Sequence, residues 1–252
     1  MIDQAHSWLE GRVSAQAAIE AGWREVHQIL IDSNKRYDRR LRPLLRGARA
    51  AAAPVSFVPG DVIQQRASGG SHGGVLAAVG ERRFCALTDL LPADRAAFIV
   101  MLDGIEDPYN FAGAVRSLYA AGVDGIVLRP RNWTSASAIV GRASAGAIER
   151  VPLAIAETAA SAADFYRAQG LQIAIAAKSE NSRAPNQADL TQPTFLLIGG
   201  ERRGVTRSFA QTADVSLEIA YGRDFDQSLG AVAAAAVIAF EVKRQRDSAP
   251  AL

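Results

Sequence analysis

Residues 194–246 read TFLLIGGERRGVTRSFAQTADVSLEIAYGRDFDQSLGAVAAAAVIAFEVKRQR, and the order of elements in this stretch decides the fold class. Residues 195–198 form a short apolar run closed by Gly199 and Gly200, the pattern of a buried central strand running into a tight loop. Glu201, Arg202 and Arg203 follow at the C-terminal end of that strand, where open α/β sheets hold their ligands. A second strand is expected at 215–219, running into the loop Ala220-Tyr221-Gly222. Gln227-Ser228-Leu229 then opens an alanine-rich helix expected to reach Arg246 and to be mostly buried, its small residues letting backbones approach closely. Two glycine loops and a helix N-terminus thus converge at one end of a sheet. That is the outline of a ligand site, and equally of an ordinary α/β core with sharp turns.

Working outward, residues 98–102 are another buried strand, ending in the polar loop 103–110, DGIEDPYN. Asn110 is expected to cap the helix that runs to about residue 121, with a strand behind it at 125–128. Further strands are expected at 153–156 and 172–177, an amphipathic helix at 159–168, and a polar loop at 181–192. The first 80 or so residues alternate in the same way. A helix at 13–20, a strand at 26–31 and an arginine-rich helix ending in the alanines at 50–53 come first. A strand at 55–58, a short helix at 61–66, a glycine loop at 68–74 and a strand at 75–79 follow. Such alternation argues for layered α/β architecture. The expected division is a small domain at 1–83, a linker at 84–97 and a second domain at 98–252.

Composition narrows the class. A chain of 252 residues, 49% hydrophobic and 21% charged, can bury a sizeable core and is not a disordered polymer. No apolar run reaches the ~18 residues of a membrane span. The start, MIDQAHSWLEGR, lacks the cationic head and apolar segment of a signal peptide, so a membrane or exported protein is not expected. Cys85 is the sole cysteine, which excludes an internal disulfide and suits a reducing cytoplasm. One Cys and three scattered His give no metal-ligand spacing, and no metal is expected. Neither G-x-G-x-x-G nor G-x-x-x-x-G-K-[ST] occurs. Net charge is only +2, yet the cations are nearly all arginine. Arg36, Arg39, Arg40, Arg42, Arg46 and Arg49 crowd one region, which reads either as a footprint for an RNA backbone or as a solvated helix face.

Several motifs carry a resemblance. DGIEDPYNFAGAVRSLYAAGVDGIVL at 103–128, the SAGA at 144–147 with Glu149 and Pro152, and GGERRGV followed by EIAYGRDFDQSLG together resemble the SpoU/TrmH family. These are 2′-O-ribose RNA methyltransferases of the SPOUT superfamily. The likeness is strong from about 98 to 246. The first half resembles the family's N-terminal RNA substrate-binding domain, marked by His72-Gly73-Gly74-Val75 where many members read His-Gln-Gly-Val.

The resemblance implies a parallel sheet with helices on both faces at 98–246, tied into a deep trefoil knot, with a smaller N-terminal α/β RNA-binding domain. It implies S-adenosylmethionine as cofactor, bound by Ala177, Gly199, Gly200, Ile219, Ser228 and Leu229. It implies transfer of a methyl group to a ribose 2′-hydroxyl of ribosomal or transfer RNA, with Asn110, Arg116, Glu201 and Ser228 as the catalytic residues. Arg116 matches the arginine to which the family assigns activation of that hydroxyl. A guanidinium with a pKa above ~12 is a poor base, so Arg116 is expected to bind the adjacent phosphate and stabilise developing alkoxide charge. Glu201 is expected to orient Asn110 or Arg116. With Asn110 in a loop and Arg116 in a helix, the pair can converge. Arg39, Arg42, His72 and Arg142 are the expected RNA contacts, and a homodimer through the C-terminal domain is implied.

Three further positions depart from the family pattern. Ala112, followed by Gly113, stands where a glycine is usual, and Arg142 stands where a lysine is common. Gly230 replaces the asparagine of Ser-Leu-Asn, which opens an alternative: a non-catalytic RNA-binding protein that keeps the scaffold.

Overall fold

The computed structural model describes residues 7–130, 137–179, 181–200 and 204–249. Internal contacts divide the chain into two units, Met1–Arg83 with Asn132–Arg150, and Phe84–Arg131 with Val151–Leu252. In chain order the first elements are β1 (Ser7–Glu10), α1 (Arg12–Ala21), β2 (Val26–Asp32), α2 (Arg42–Ala50), β3 (Val55–Val58), α3 (Gly60–Arg66) and β4 (Val75–Val79). Next come β5 (Phe98–Asp103), α4 (Pro108–Ala120), β6 (Gly125–Leu128), α5 (Ser137–Ala143) and α6 (Ala147–Arg150). The rest are β7 (Leu153–Ile155), α7 (Ala159–Ala168), β8 (Gln172–Ala176), β9 (Thr194–Gly199), α8 (Arg207–Ala210), β10 (Val215–Leu217) and α9 (Ala231–Ser248).

The first unit is a sheet in the order β1-β4-β2-β3, with β3 parallel to β2 and the other pairs antiparallel. β4 is apolar throughout and buried at every position, as a strand covered on both faces must be. Ala15 and Ala18 of α1 pack on Leu9, Ile29 and Ile31. The helix ends at Gly22, whose φ of 68° places it in the left-handed region that only glycine enters cheaply. β1 was not foreseen in the sequence.

Residues 137–150 join this unit through two buried carboxylates. Glu10, fully buried at the end of β1, accepts from the Arg142 guanidinium of α5 and from the Ser68 backbone N–H. Glu149 of α6, 1% exposed, takes both oxygens to Arg24 Nε at 3.2 and 2.9 Å and also accepts from Arg82 at 3.3 Å. A buried charge persists only when paired in this way. Gly146 completes the attachment: at φ 79° it lies so close to α1 that a Cβ would stand 2.8 Å from the Ala17 Cβ. The continuous second domain expected at 98–252 is therefore interrupted at 132–150.

The second unit is a parallel sheet in the order β10-β8-β9-β5-β6-β7. β9 is central, as its apolar run demands. One face, including Ile99, Met101, Phe195, Leu197, Ile173 and Ile175, packs on Ala162, Ala163 and Tyr166 of α7. α4 and α9 pack together, with Arg246 of α9 lying over the Phe98 ring at 5.6 Å. Ala112 is fully buried, and the close approach of the two helices falls at Gly113, where a Cβ would stand 3.1 Å from the Val232 methyls.

Segment 84–97 is not a slack linker. The Cys85 N–H donates to the Leu153 carbonyl at 2.8 Å, Leu90 is buried against Gly125, and the Tyr166 hydroxyl donates to the Leu87 carbonyl at 3.1 Å. Apolar side chains within this polar-looking stretch, not its composition as a whole, decide its fate.

Three local expectations also change. Asp107, not Asn110, caps α4: its carboxylate accepts the Asn110 N–H at 2.8 Å, and Pro108 takes the first helical position, where its missing N–H costs nothing. α9 begins at Ala231, with Gly230 as its N-cap, rather than at 227. That helix buries one face, through Ala231, Ala235, Ile238, Ala239 and Val242, while Val237 and Phe240 stay 44% and 47% exposed. Among the described residues, no helix is long and apolar enough to cross a membrane.

Candidate functional site

The orientation of α9 sets the site. Near its C-terminal end the Arg246 guanidinium donates to the carbonyls of Ala96, Ala97, Leu190 and Gln192, which precede β5 and β9. Burial pulls the Arg246 pKa below its usual value, and the four carbonyls hold the charge in place. With its C-terminus fixed at the N-terminal ends of the strands, α9 brings its N-terminus to their C-terminal ends, the ligand-binding side of a parallel sheet.

There a cavity of about 450 Å³ opens between the ends of β8 and β10, the loop 221–229 and the first turns of α9. Its walls are apolar at Ala177, Leu217, Ile219, Leu229 and Ile238. The Ala177 N–H donates to the Leu217 carbonyl at 3.1 Å, and Ser216 Oγ donates to the Ala177 carbonyl at 2.9 Å, so this wall is rigid. The loop supplies two exposed rings, Tyr221 and Phe225, with centroids 6.0 Å apart. It also supplies Asp224 and Asp226, while β10 leads into Glu218. Glu218 accepts from Ser182 Oγ at 2.6 Å and pairs with Lys178 at 3.3 Å; the hydroxyl first, then the ammonium, holds its pKa below the ordinary carboxylate value. The Leu229 N–H donates to the Tyr221 hydroxyl at 2.9 Å, closing the loop on itself. Lys178 and Arg223 line the cavity too, so three carboxylates stand against two cations; aromatic faces, apolar walls and this small acidic excess suit a ligand that carries both a ring and a net positive charge.

Of the expected cofactor positions, Ala177, Ile219, Ser228 and Leu229 line this cavity. Gly199 lines a different one, of about 270 Å³, with Asp103, Arg129, Thr158 and Thr206. Gly200 is packed against Gly104 with no room for a Cβ. Among the expected catalytic residues, Asn110 and Arg116 both lie in α4, Asn110 partly buried and Arg116 exposed. Six residues of helix turn the chain by about 600° and advance it about 9 Å, so the two side chains leave different faces. Their placement in one helix corrects the loop-and-helix convergence expected from sequence. Glu201 lies outside the described residues.

In the first unit, Arg39 and Arg42 are exposed, open to a large polyanion. His72 and Arg142 are engaged internally. His72 Nδ1 accepts the Gly74 N–H at 3.0 Å and Nε2 donates to Gln64 Oε1 at 3.1 Å, so the ring shapes the glycine loop; Arg142 is spent on Glu10. Tyr221, Phe225 and the cavity carboxylates were missed. Their signal was the alternation of aromatic and acidic residues in 221–226, YGRDFD. Among the described residues no group of three or more His, Cys, Asp or Glu could hold a metal ion.

Comparison with known proteins accords with this layout. Residues 8–85 match the family described as RNA 2'-O ribose methyltransferase substrate binding. The chain is similar to the 23S rRNA (guanosine-2'-O-)-methyltransferase RlmB of Shewanella oneidensis, 31% identical over 216 residues that cover 84% of this chain and 87% of that protein. It is 30% identical to the protein of the same name from Yersinia pestis over 214 residues, covering 84% of this chain and 86% of the other. Among solved structures it is similar to the SpoU methyltransferase AviRb of Streptomyces viridochromogenes in complex with the cofactor AdoMet, at a TM-score of 0.78 and 25% identity, covering 96% of this chain and 91% of the other. With residues 97–240 matching that family and the parallel sheet carrying its motifs, the chain belongs to the SpoU rRNA methylase family.

Proposed function

We propose that this protein transfers a methyl group from S-adenosylmethionine to a ribose 2′-hydroxyl of RNA, with ribosomal RNA as the substrate class indicated by its relatives. The observation that carries the reading is the cavity at the ends of β8 and β10, lined by Ala177, Ile219, Ser228 and Leu229. Its volume lies within the ~300–1,000 Å³ usual for small-ligand sites, and its apolar walls, rings and carboxylates suit an adenine ring and a cationic amino-acid tail. When bound, the cofactor supplies a methyl group on a positively charged sulfur.

The chain's own residues then have definite tasks. Asp224 and Asp226 offset cationic charge, Glu218 being paired with Lys178, and the Tyr221 hydroxyl fixes the Leu229 amide at the cavity wall. Arg116 presents an exposed guanidinium that binds the phosphate beside the target ribose and stabilises negative charge developing on its 2′ oxygen. Because guanidinium keeps its protons, the hydroxyl proton leaves to water or to the phosphate. Asn110 positions the ribose and Glu201 orients Arg116, with Ser228 at the cavity. Arg39 and Arg42 contact the RNA backbone, whereas His72 and Arg142 hold the surface that presents them.

Two structural readings accompany this. The chain forms a homodimer through the packed helices α4 and α9, a reading supported by the apolar side chains that they leave exposed, Tyr119, Val237 and Phe240. The second unit is tied into a trefoil knot, a reading supported by the close passage of Gly200 past Gly104. An RNA substrate and a lone cysteine suit action in the cytoplasm.

The test is transfer of a labelled methyl group from S-adenosylmethionine to total RNA from cells lacking the gene, with digestion to nucleosides. Label on a 2′-O-methylated nucleoside is the expected result. Cofactor binding without label on any RNA, assembling ribosomal particles included, would favour the scaffold-only alternative.

A further inference from the structure

Tyr37 is 90% exposed, the most exposed of the large hydrophobic side chains among the described residues, and it stands in the turn Lys35-Arg36-Tyr37-Asp38-Arg39-Arg40 of the first unit. The turn is rigid. Asp32 accepts the Asn34 N–H at 2.9 Å, Asp38 accepts the Arg40 N–H at 2.9 Å, and the Arg40 side chain grips the Asp38 carboxylate at 2.8 to 3.1 Å. The Arg36 guanidinium is parked over the Phe57 ring at 5.0 Å. An aromatic ring held out into water on a fixed turn, between cations, contributes nothing to the core.

Beside it lies a cavity of about 330 Å³. Four of its lining side chains are the charged groups Arg40, Asp38, Arg142 and Glu10, which neutralise one another in pairs. Two further cations line it, Arg12 and Lys35, and neither forms an ion pair among the described residues. The stem of Lys35 is seated against Gly74, where a Cβ would stand 2.9 Å from its Cε, so glycine there permits this placement. Arg12 opens α1, whose N-cap Gly11 offers no side-chain acceptor and whose first turn carries no acidic residue. The cavity therefore has net positive character next to an exposed ring.

We propose that this turn and cavity bind a single-stranded segment of the substrate RNA, with one unpaired base stacked on Tyr37 and the neighbouring phosphate held by Lys35 and Arg12. The proposal rests on the RNA reading given above and deepens it. Unpaired bases are recognised by stacking on aromatic side chains, whereas a duplex buries its base faces and offers phosphates, sugars and base edges instead. The site thus selects a loop or bulge over a paired stem.

The test uses the full chain and fluorescence anisotropy, with labelled single-stranded oligoadenylate and a labelled duplex of the same length as probes. Tyr37→Ala is expected to weaken single-strand binding by about tenfold and to leave duplex binding within about twofold, and Tyr37→Trp to keep single-strand affinity. Lys35→Gln is expected to lower the slope of log affinity against log salt for the single strand by about 0.7, the share of one phosphate contact. Wild-type single-strand affinity in Tyr37→Ala, or an equal loss on both probes, would overturn the proposal. Because the binding measurement needs no methyl transfer, the two readings fail separately. Turnover in the labelled-methyl assay with unaltered Tyr37→Ala binding sinks only the stacking site, and absent cofactor binding with the stacking effect intact sinks only the proposed reaction.

Discussion

The backbone N–H of Leu229 donates to the hydroxyl of Tyr221 at 2.9 Å, joining the two ends of a loop that has no other regular structure. Both residues line the candidate cofactor cavity, so this single bond holds the cavity wall in shape. Tyr221→Phe keeps the ring and removes the acceptor. A neutral hydrogen bond of this kind contributes about 0.5–1.5 kcal/mol, so S-adenosylmethionine affinity is expected to fall by about two- to tenfold in calorimetry. Thermal stability should barely change, since Tyr221 is 40% exposed.

Arg116 separates binding from chemistry. It is exposed on α4 and is not among the residues lining the cavity of β8 and β10. Arg116→Ala is therefore expected to leave S-adenosylmethionine affinity unchanged and to lower kcat by about 10²–10³, the usual effect of removing one group that stabilises transition-state charge. Arg116→Lys should recover part of that loss, because a point charge replaces the two-pronged fork. Single-turnover methyl transfer with saturating cofactor measures this directly, and full activity in Arg116→Ala would remove it from the mechanism.

Gly200 and Gly222 make a controlled pair. A Cβ at Gly200 would overlap the Gly104 backbone, whereas a Cβ at Gly222 meets nothing within 4 Å. Backbone cannot move aside as the tip of a side chain can. Gly200→Ala is expected to cost about 3 kcal/mol or more in urea unfolding, at the upper end of overpacking effects, while Gly222→Ala stays within about 0.5 kcal/mol.

The parallel sheet was legible because its strands, FIVML and FLLI above all, are apolar runs that end at a polar residue or a glycine. The end of the sheet that holds the cavity was legible for the same reason. What escaped reading depends on partners far away in sequence. Glu10 looks like a surface residue and is fully buried only because Arg142, 132 positions later, reaches it. Glu149 likewise assigns 137–150 to the first unit through Arg24 and Arg82, and no local pattern reports such pairing. The cap of α4 was available from the sequence: Asp107 directly before Pro108 is a stronger helix start than Asn110.

Tyr166 ties α7 to the segment once expected to be a linker, its hydroxyl donating to the Leu87 carbonyl at 3.1 Å. Burial pushes its pKa above the ordinary tyrosine value. A raised pKa means that this contribution to stability is fully present below the unfolded value of about 10 and is lost as pH climbs above it. Tyr166→Phe is expected to cost about 1 kcal/mol at neutral pH, from the lost hydrogen bond, and to flatten the alkaline fall in stability. Urea denaturation at pH 7 and above pH 10 reads both. Hydrogen exchange should show faster opening of the 3-10 turn Leu87–Leu90 in the variant.

Gly230 is the departure that put activity in question, and its place in the fold says what an asparagine there would do. It is the N-cap of α9, with φ −58°, ψ 151° and no side-chain cap. An asparagine oxygen at an N-cap accepts one of the otherwise unpaired amides of the first turn, while glycine at the same position leaves it to water at a cost of only a few tenths of a kcal/mol. The main-chain geometry of the cap, with the Ala234 N–H donating to the Gly230 carbonyl at 3.1 Å, is already in place without that side chain. Gly230→Asn is therefore expected to raise stability by about 0.3 kcal/mol and to keep kcat/KM for methyl transfer within about twofold. A tenfold or larger gain in kcat would show instead that the amide acts on the reacting groups, and that the native chain works with one polar contact fewer than its relatives.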